Sequence, residues 1–161
     1  MTCHVFRYAC RVWLTDEQQG VWRNYLAMGT RLRGAMNREL QRDCGLSLSD
    51  YEVLVALSER GPLRVFELAD VLGWEQSRLS HQLRRMRTRA LVIRRGSDDD
   101  RRGAYVRLTD RGRAALEAAA PGHVELIRST LFDGVSAAQL RAVRSWTETI
   151  LTRLATSPPR S

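Results

Sequence analysis

From residue 16 to about residue 43, apolar positions recur at alternating spacings of three and four: Trp22, Tyr25, Leu32 and Met36, with Gly29 in the same series. This spacing predicts a long amphipathic helix whose seam calls for a partner helix. Thr15 with Gln18 three residues on is a capping-box pattern that opens it, and Gly45 can stop it. Ser49 with Glu52 is expected to start a second helix carrying Tyr51, Leu54, Val55 and Leu57, closed by Gly61 and Pro62.

A short extended piece at 63–65 leads into a brief helix over 66–72, then Gly73 and Trp74, then another helix over about 76–89. Two short helices joined by a tight Gly-containing turn are a helix-turn-helix arrangement. On a wheel of roughly 100° per residue, Leu79, Leu83 and Met86 share one side of the second helix, while Ser77, Arg78, Ser80, His81, Arg84 and Arg85 spread over the other. One side packs, and the other is free to touch a partner.

The stretch 91–95 is β-like, and a polar turn at 96–103 precedes a second β-like run at 104–108, where Val106 and Leu108 alternate with Tyr105 and Arg107. Together they read as a hairpin with a charged tip. Thr109 can cap a long Ala-rich helix bearing Ala115, Leu116, Ala119, Leu126, Ile127 and Leu131, which Pro121 and Gly122 are expected to kink. Ser136 with Gln139 caps a final helix whose Leu140, Val143, Ile150 and Leu154, with Trp146 close by, supply another apolar stripe. The predicted order is helix, helix, strand, helix, helix, hairpin, helix, helix.

Composition narrows the classes. A chain of 161 residues with 43% hydrophobic positions can bury one core without disulfide staples. The longest uninterrupted apolar run, residues 53–57, falls far short of the roughly 20 residues a membrane helix needs. The first residues lack the pattern of an export signal, so a cytoplasmic location is expected. Cys3, Cys10 and Cys44 are odd in number and follow no C-x-x-C spacing, which fits neither a disulfide framework nor a zinc knuckle.

Charge is the sharper signal. All 26 basic side chains are Arg, and the net charge is +8. Residues 78–113 hold 12 Arg against 4 Asp, so the whole excess lies in this one segment while the rest of the chain is balanced. Such asymmetry belongs to a polyanion-binding surface more than to general solubility.

The run FELADVLGWEQSRLSHQLRRMRTRALVIRR, starting at Phe66, followed by DRRGAYVRLTDRG ending at Gly112, closely resembles the winged helix-turn-helix core of MarR-family transcription regulators. The D-x-R at Asp100 and Arg102, and the Leu108-Thr109 and Gly112 that follow the wing at the family's spacing, carry the likeness. The long flanking helices match the family's dimerisation elements in order and length. The resemblance implies a mainly α fold with a small β-hairpin wing (α+β). The irregular N-terminus would be 1–12, the MarR-like domain 13–155 and the tail 156–161. Within the domain, 46–112 would be the winged lobe, and 13–45 and 113–155 the dimerisation helices. Family members commonly carry Gly where this chain has Ala90, which tolerates a left-handed backbone less well.

What the resemblance implies about function is a homodimeric, sequence-specific regulator on a pseudo-palindromic double-stranded DNA operator. Ser77, Arg78, His81 and Arg84 would face the major groove, where Arg bonds guanine bidentately. Arg85, on the same exposed side, is counted with them among the DNA contacts. Arg102 would enter the minor groove, oriented by a charge-assisted pair with Asp100. Arg94, Arg95, Arg101 and Arg107 would neutralise phosphates. The family's usual effectors are small aromatic acids, so Trp22, Tyr25, Tyr51 and His123 are candidates to line a ligand crevice, with Arg33 or Arg128 meeting the carboxylate. No cofactor and no metal site is implied.

Catalysis has no support: G-x-S-x-G, the phosphate-binding G-x-x-x-x-G-K-[ST] and a G-x-G-x-x-G after a strand are all absent. Cys44 has no adjacent His and reads as a half-buried small apolar residue. Cys3, His4 and Cys10 match no established zinc spacing. Two alternatives stay open: a thiol-based redox or metal sensor on the same scaffold, and a non-specific nucleic-acid-binding protein.

Overall fold

In a computed structural model, residues 13–95 and 105–156 are described. The N-terminal residues with Cys3, His4 and Cys10, the wing tip with Asp100, Arg101 and Arg102, and the C-terminal tail lie outside the described residues.

Helix α1 spans Asp16–Cys44 and starts at the expected capping box: Gln18 N–H donates to the Thr15 hydroxyl at 3.2 Å, and Thr15 N–H to Gln18 Oε1 at 2.9 Å. It ends at Gly45, whose φ of 62° is left-handed. Helix α2 spans Leu48–Arg60 and corrects the sequence reading. Its cap is Ser47 with Asp50, two residues before the expected Ser49 and Glu52; Ser47 N–H donates to Asp50 Oδ2 at 2.9 Å and Asp50 N–H to Ser47 Oγ at 3.0 Å. Asp is one carbon shorter than the Glu or Gln of the usual pattern, yet it closes the same reciprocal pair.

Strand β1 (Leu63–Arg64) precedes α3 (Val65–Leu72), which ends at left-handed Gly73, and α4 (Gln76–Thr88) follows the turn. Strands β2 (Val92–Arg95) and β3 (Tyr105–Leu108) form the expected hairpin arms. The extended piece at 63–65 does more than connect: Leu63 pairs with Val106 and Arg64 with Tyr105, so the antiparallel sheet has three strands in the order β1-β3-β2. Central β3 also pairs Val106 with Arg94 and Tyr105 with Arg95 of β2.

The core joins these pieces. Leu40 of α1 and Leu46 just beyond its end pack with Val53, Leu54 and Leu57 of α2, Leu68 of α3, Leu79, Leu83 and Met86 of α4, and Val92 and Val106 of the sheet. Burial of this many branched side chains, each worth about 1.5–3 kcal/mol, fixes the exposed side of α4 by default.

Helix α5 spans Asp110–Ile127 with Pro121 inside it, and a π-helical turn follows over Arg128–Phe132. Helix α6 (Ala137–Thr156) is opened by the expected Ser136 and Gln139 box, with Gln139 N–H 3.2 Å from Ser136 Oγ. The chain divides into two compact units between Ala119 and Ala120. In the second unit no residue of α6 is buried, and Val143, Trp146, Leu151 and Leu154 are exposed. No described helix is long and apolar enough to cross a membrane.

Candidate nucleic-acid interface

Helix α4 is placed by its ends. At its N-terminal side, the α3 end is closed by Gly73 N–H to Asp70 O at 3.2 Å and Trp74 N–H to Ala69 O at 2.9 Å, a pair of bonds that fixes the turn. At its C-terminal side, Leu91 N–H donates to Met86 O at 3.0 Å and Ala90 N–H to Arg87 O at 2.9 Å. This double bond pattern needs a left-handed residue, and Ala90 supplies it at φ 54°. The buried pair Leu91 and Met86 adds the hydrophobic contact that accompanies such a cap.

Two further anchors hold the helix. Asp50, 3% exposed on α2, accepts from Gln82 Nε2 at 2.6 Å and from Arg89 Nη1 at 2.7 Å. Arg89 Nη2 also donates to Gly45 O at 2.7 Å, so one guanidinium ties the ends of α1 and α4 to the start of α2. On the other side, the Thr109 hydroxyl donates to Ala90 O at 2.6 Å and accepts from Gly112 N–H at 2.9 Å. A Cβ on Gly112 would overlap the Leu91 carbonyl oxygen, so only glycine lets α5 approach the end of α4 this closely.

The outer side of α4 is then a polar, cationic face. Ser77, Arg78, Ser80, His81, Arg84 and Arg85 are all exposed, as the helical wheel predicts. They are not equivalent. Arg78 lies over the Trp74 ring, with its Cζ 4.1 Å from the ring centroid. Arg85 turns one N–H back to Gln82 Oε1 and so joins the Asp50 network. Ser80, Arg84 and Arg87 border a cleft of about 140 Å³ shared with Arg94 of β2, over a floor that includes Leu83, Val92 and Val106. Arg95 and Arg107 are exposed on the paired strands. Thus Ser77, Arg78, His81, Arg84, Arg85, Arg94 and Arg95 belong to one lobe, whereas Asp100, Arg101 and Arg102 lie outside the described residues. Sequence reasoning missed Gln82, a buried polar residue, and Trp74 as a partner of Arg78; Trp74 lies before the Glu75 cap of α4, where helical spacing gives no signal.

Of the aromatic candidates, Trp22 and Tyr25 are in ring contact with each other, stacked on α1 with centroids 5.8 Å apart. Tyr51 packs half-buried against the core, and burial, with Glu39 second, pushes its hydroxyl above the ordinary tyrosine range. His123 belongs to the second unit. Of the arginines offered for a carboxylate, Arg33 pairs with Glu52 at 3.0 Å and Arg128 with Glu125 at 2.7 Å. Burial, reinforced by Glu39 and Asp43, raises the Cys44 thiol above its usual value, which disfavours the reactive thiolate. Among the described residues, no group of three or more His, Cys, Asp or Glu could hold a metal ion.

Comparison with known proteins gives consistent matches. Residues 45–103 match a family model described as MarR family. The chain is similar to AbsC of Streptomyces coelicolor, a MarR family transcriptional regulator, at 35% identity over 90% of this chain and 99% of that one, with a TM-score of 0.82. It is similar to Sco3205 of the same organism, a MarR family transcriptional regulator solved in complex with DNA, at 37% identity over 91% and 96%, with a TM-score of 0.82. It also resembles YfiV of Bacillus subtilis, an uncharacterized HTH-type transcriptional regulator, at 28% identity over 72% of each chain.

Proposed function

This chain belongs to the MarR family of transcriptional regulators, and from that premise we propose that it binds a pseudo-palindromic DNA operator sequence-specifically as a homodimer. The observation that carries the reading is the exposed side of α4: Ser77, Arg78, His81 and Arg84 project from a helix whose other side is locked into the core. An α-helix fits the major groove, where each base pair presents a distinct pattern of donors and acceptors. Arg85 and the strand residues Arg94, Arg95 and Arg107 meet phosphates, which fix register without reading sequence. Arg102 enters the adjacent minor groove with Asp100 orienting it, and Arg101 contacts the backbone.

A duplex with two half-sites needs two reading helices, and the second comes from a second copy. Exposed Trp22, Tyr25 and Leu26 on α1, and Val143, Trp146 and Leu154 on α6, support association through the long helices. Operator affinity is modulated by a small aromatic carboxylate, for which the Trp22 and Tyr25 stack offers an aromatic surface. The raised Cys44 thiol weighs against that residue as a redox trigger.

Selection of bound duplexes from a random DNA library tests the reading. A two-fold symmetric motif, with half-site centres about one helical turn apart, is the expected result. Enrichment of no sequence over any other would replace it with non-specific nucleic-acid binding.

A further inference from the structure

We infer that Trp74 sets the base specificity of Arg78, holding its guanidinium flat in the helix-turn-helix turn so that its N–H edge is presented to a guanine. The inference rests on the reading of α4 as the DNA-reading helix and assigns a positioning role to a residue outside that helix.

Arg78 is the third residue of α4 and is exposed, a place where a long flexible side chain ordinarily samples many rotamers. Here its Cζ stands 4.1 Å from the Trp74 ring centroid, within stacking distance. The indole is itself held: the backbone N–H of Trp74 donates to Ala69 O at 2.9 Å and fixes the turn that carries it, and the half-buried ring packs against the core. A guanidinium stacked on the ring in this position has its face covered and keeps its in-plane N–H donors available, the edge that bonds guanine O6 and N7 bidentately. Arg85 has one of its N–H groups on Gln82, and Arg84 lies beside the sheet cleft. Arg78 is therefore the α4 arginine whose plane is set in advance by a rigid neighbour, and Trp74 is what sets it.

The test uses the full-length protein and the duplex selected with it, with each base pair of one half-site substituted in turn. Trp74→Leu keeps apolar bulk in the turn and removes the aromatic face, Trp74→Phe restores a face, and Arg78→Ala and Arg78→Lys remove the bidentate edge. Trp74→Leu and both Arg78 variants should lower the preference for guanine about tenfold at one and the same base pair. Combining Trp74→Leu with Arg78→Ala should add little at that pair. Trp74→Phe should recover most of the preference, and the salt dependence of Trp74→Leu should match wild type because no phosphate contact is lost.

Full guanine preference in Trp74→Leu, where Arg78→Ala has lost it, would overturn the inference. So would a loss spread evenly over all base pairs, or a shallower salt slope, either of which makes Arg78 a phosphate contact. If the wild-type protein selects no sequence at all, the function reading itself fails, an outcome distinct from a wild-type motif that Trp74→Leu leaves intact.

Discussion

Arg89 Nη1 lies 2.7 Å from Asp50 Oδ2, which joins the C-terminal end of α4 to the N-terminal cap of α2. The two partners are unequal: the Asp50 side chain is 4% exposed, whereas that of Arg89 is 41% exposed. Asp50→Ala removes the acceptor for Ser47 N–H, Gln82 and Arg89 at once and should cost about 3–5 kcal/mol. Arg89→Ala leaves Asp50 held by Ser47 and Gln82, so about 1–2 kcal/mol is expected after allowance for solvent screening. Urea denaturation of the two variants checks the order, and equal losses would contradict it.

The turn after α4 makes a paired prediction of opposite sign. Ala90 sits at φ 54°, a conformation that costs an L-residue roughly 1–2 kcal/mol, so Ala90→Gly should stabilise by about 1 kcal/mol net of the added chain entropy. For a chain of this size that is roughly 2–4 °C in Tm. Gly112→Ala should instead destabilise by about 3 kcal/mol, because the obstacle is the Leu91 carbonyl, which is backbone and cannot rotate away. Thermal melts of both variants decide the matter.

Cys44 should behave as a poor nucleophile. Its thiol is raised first by burial and then by Glu39 and Asp43, so the thiolate fraction at pH 7 is below that of an open cysteine. In a Cys3→Ser, Cys10→Ser background, reaction with an uncharged disulfide reagent should be slow at pH 7 and climb about tenfold per pH unit. Rapid modification at pH 7 that also abolished DNA binding would return weight to redox sensing.

The apolar faces predict association. Val143 is 57% exposed and Leu154 68% exposed on α6, and Trp22 is 50% exposed on α1. Sedimentation equilibrium at micromolar concentration should give twice the 18.4 kDa chain mass, and Val143→Arg with Trp146→Glu should reduce it to one. A wild-type monomer under these conditions would contradict the dimer.

Local chemistry made much of this fold legible. The Thr15 and Gln18 box, the Ser136 and Gln139 box, Gly45 and Gly73 each act within a few residues, and each marks a boundary in the structure. The wheel of α4 placed Leu79, Leu83 and Met86 on the buried side correctly because they are apolar and regularly spaced, and it left out only the buried Gln82. What sequence could not supply was non-local. The extended piece at 63–65 was readable but its pairing of Leu63 with Val106 was not, and Gln82 is buried because Asp50, 32 positions earlier, receives its amide. The cap of α2 went to Ser47 over Ser49 because Asp50 could serve both as capping partner and as acceptor for α4. Gly112 stands in the sequence as a motif glycine, and its reason appears only once Leu91 is seen against it.

The central claim is that the exposed side of α4 reads DNA, and selection from a random duplex library with wild-type and Arg84→Ala proteins in parallel tests it most directly. The account predicts that the substitution alters base preference at one position in each half-site and leaves the rest of the two-fold motif in place. An identical motif from both proteins, or a uniform loss of affinity without change of preference, would contradict it.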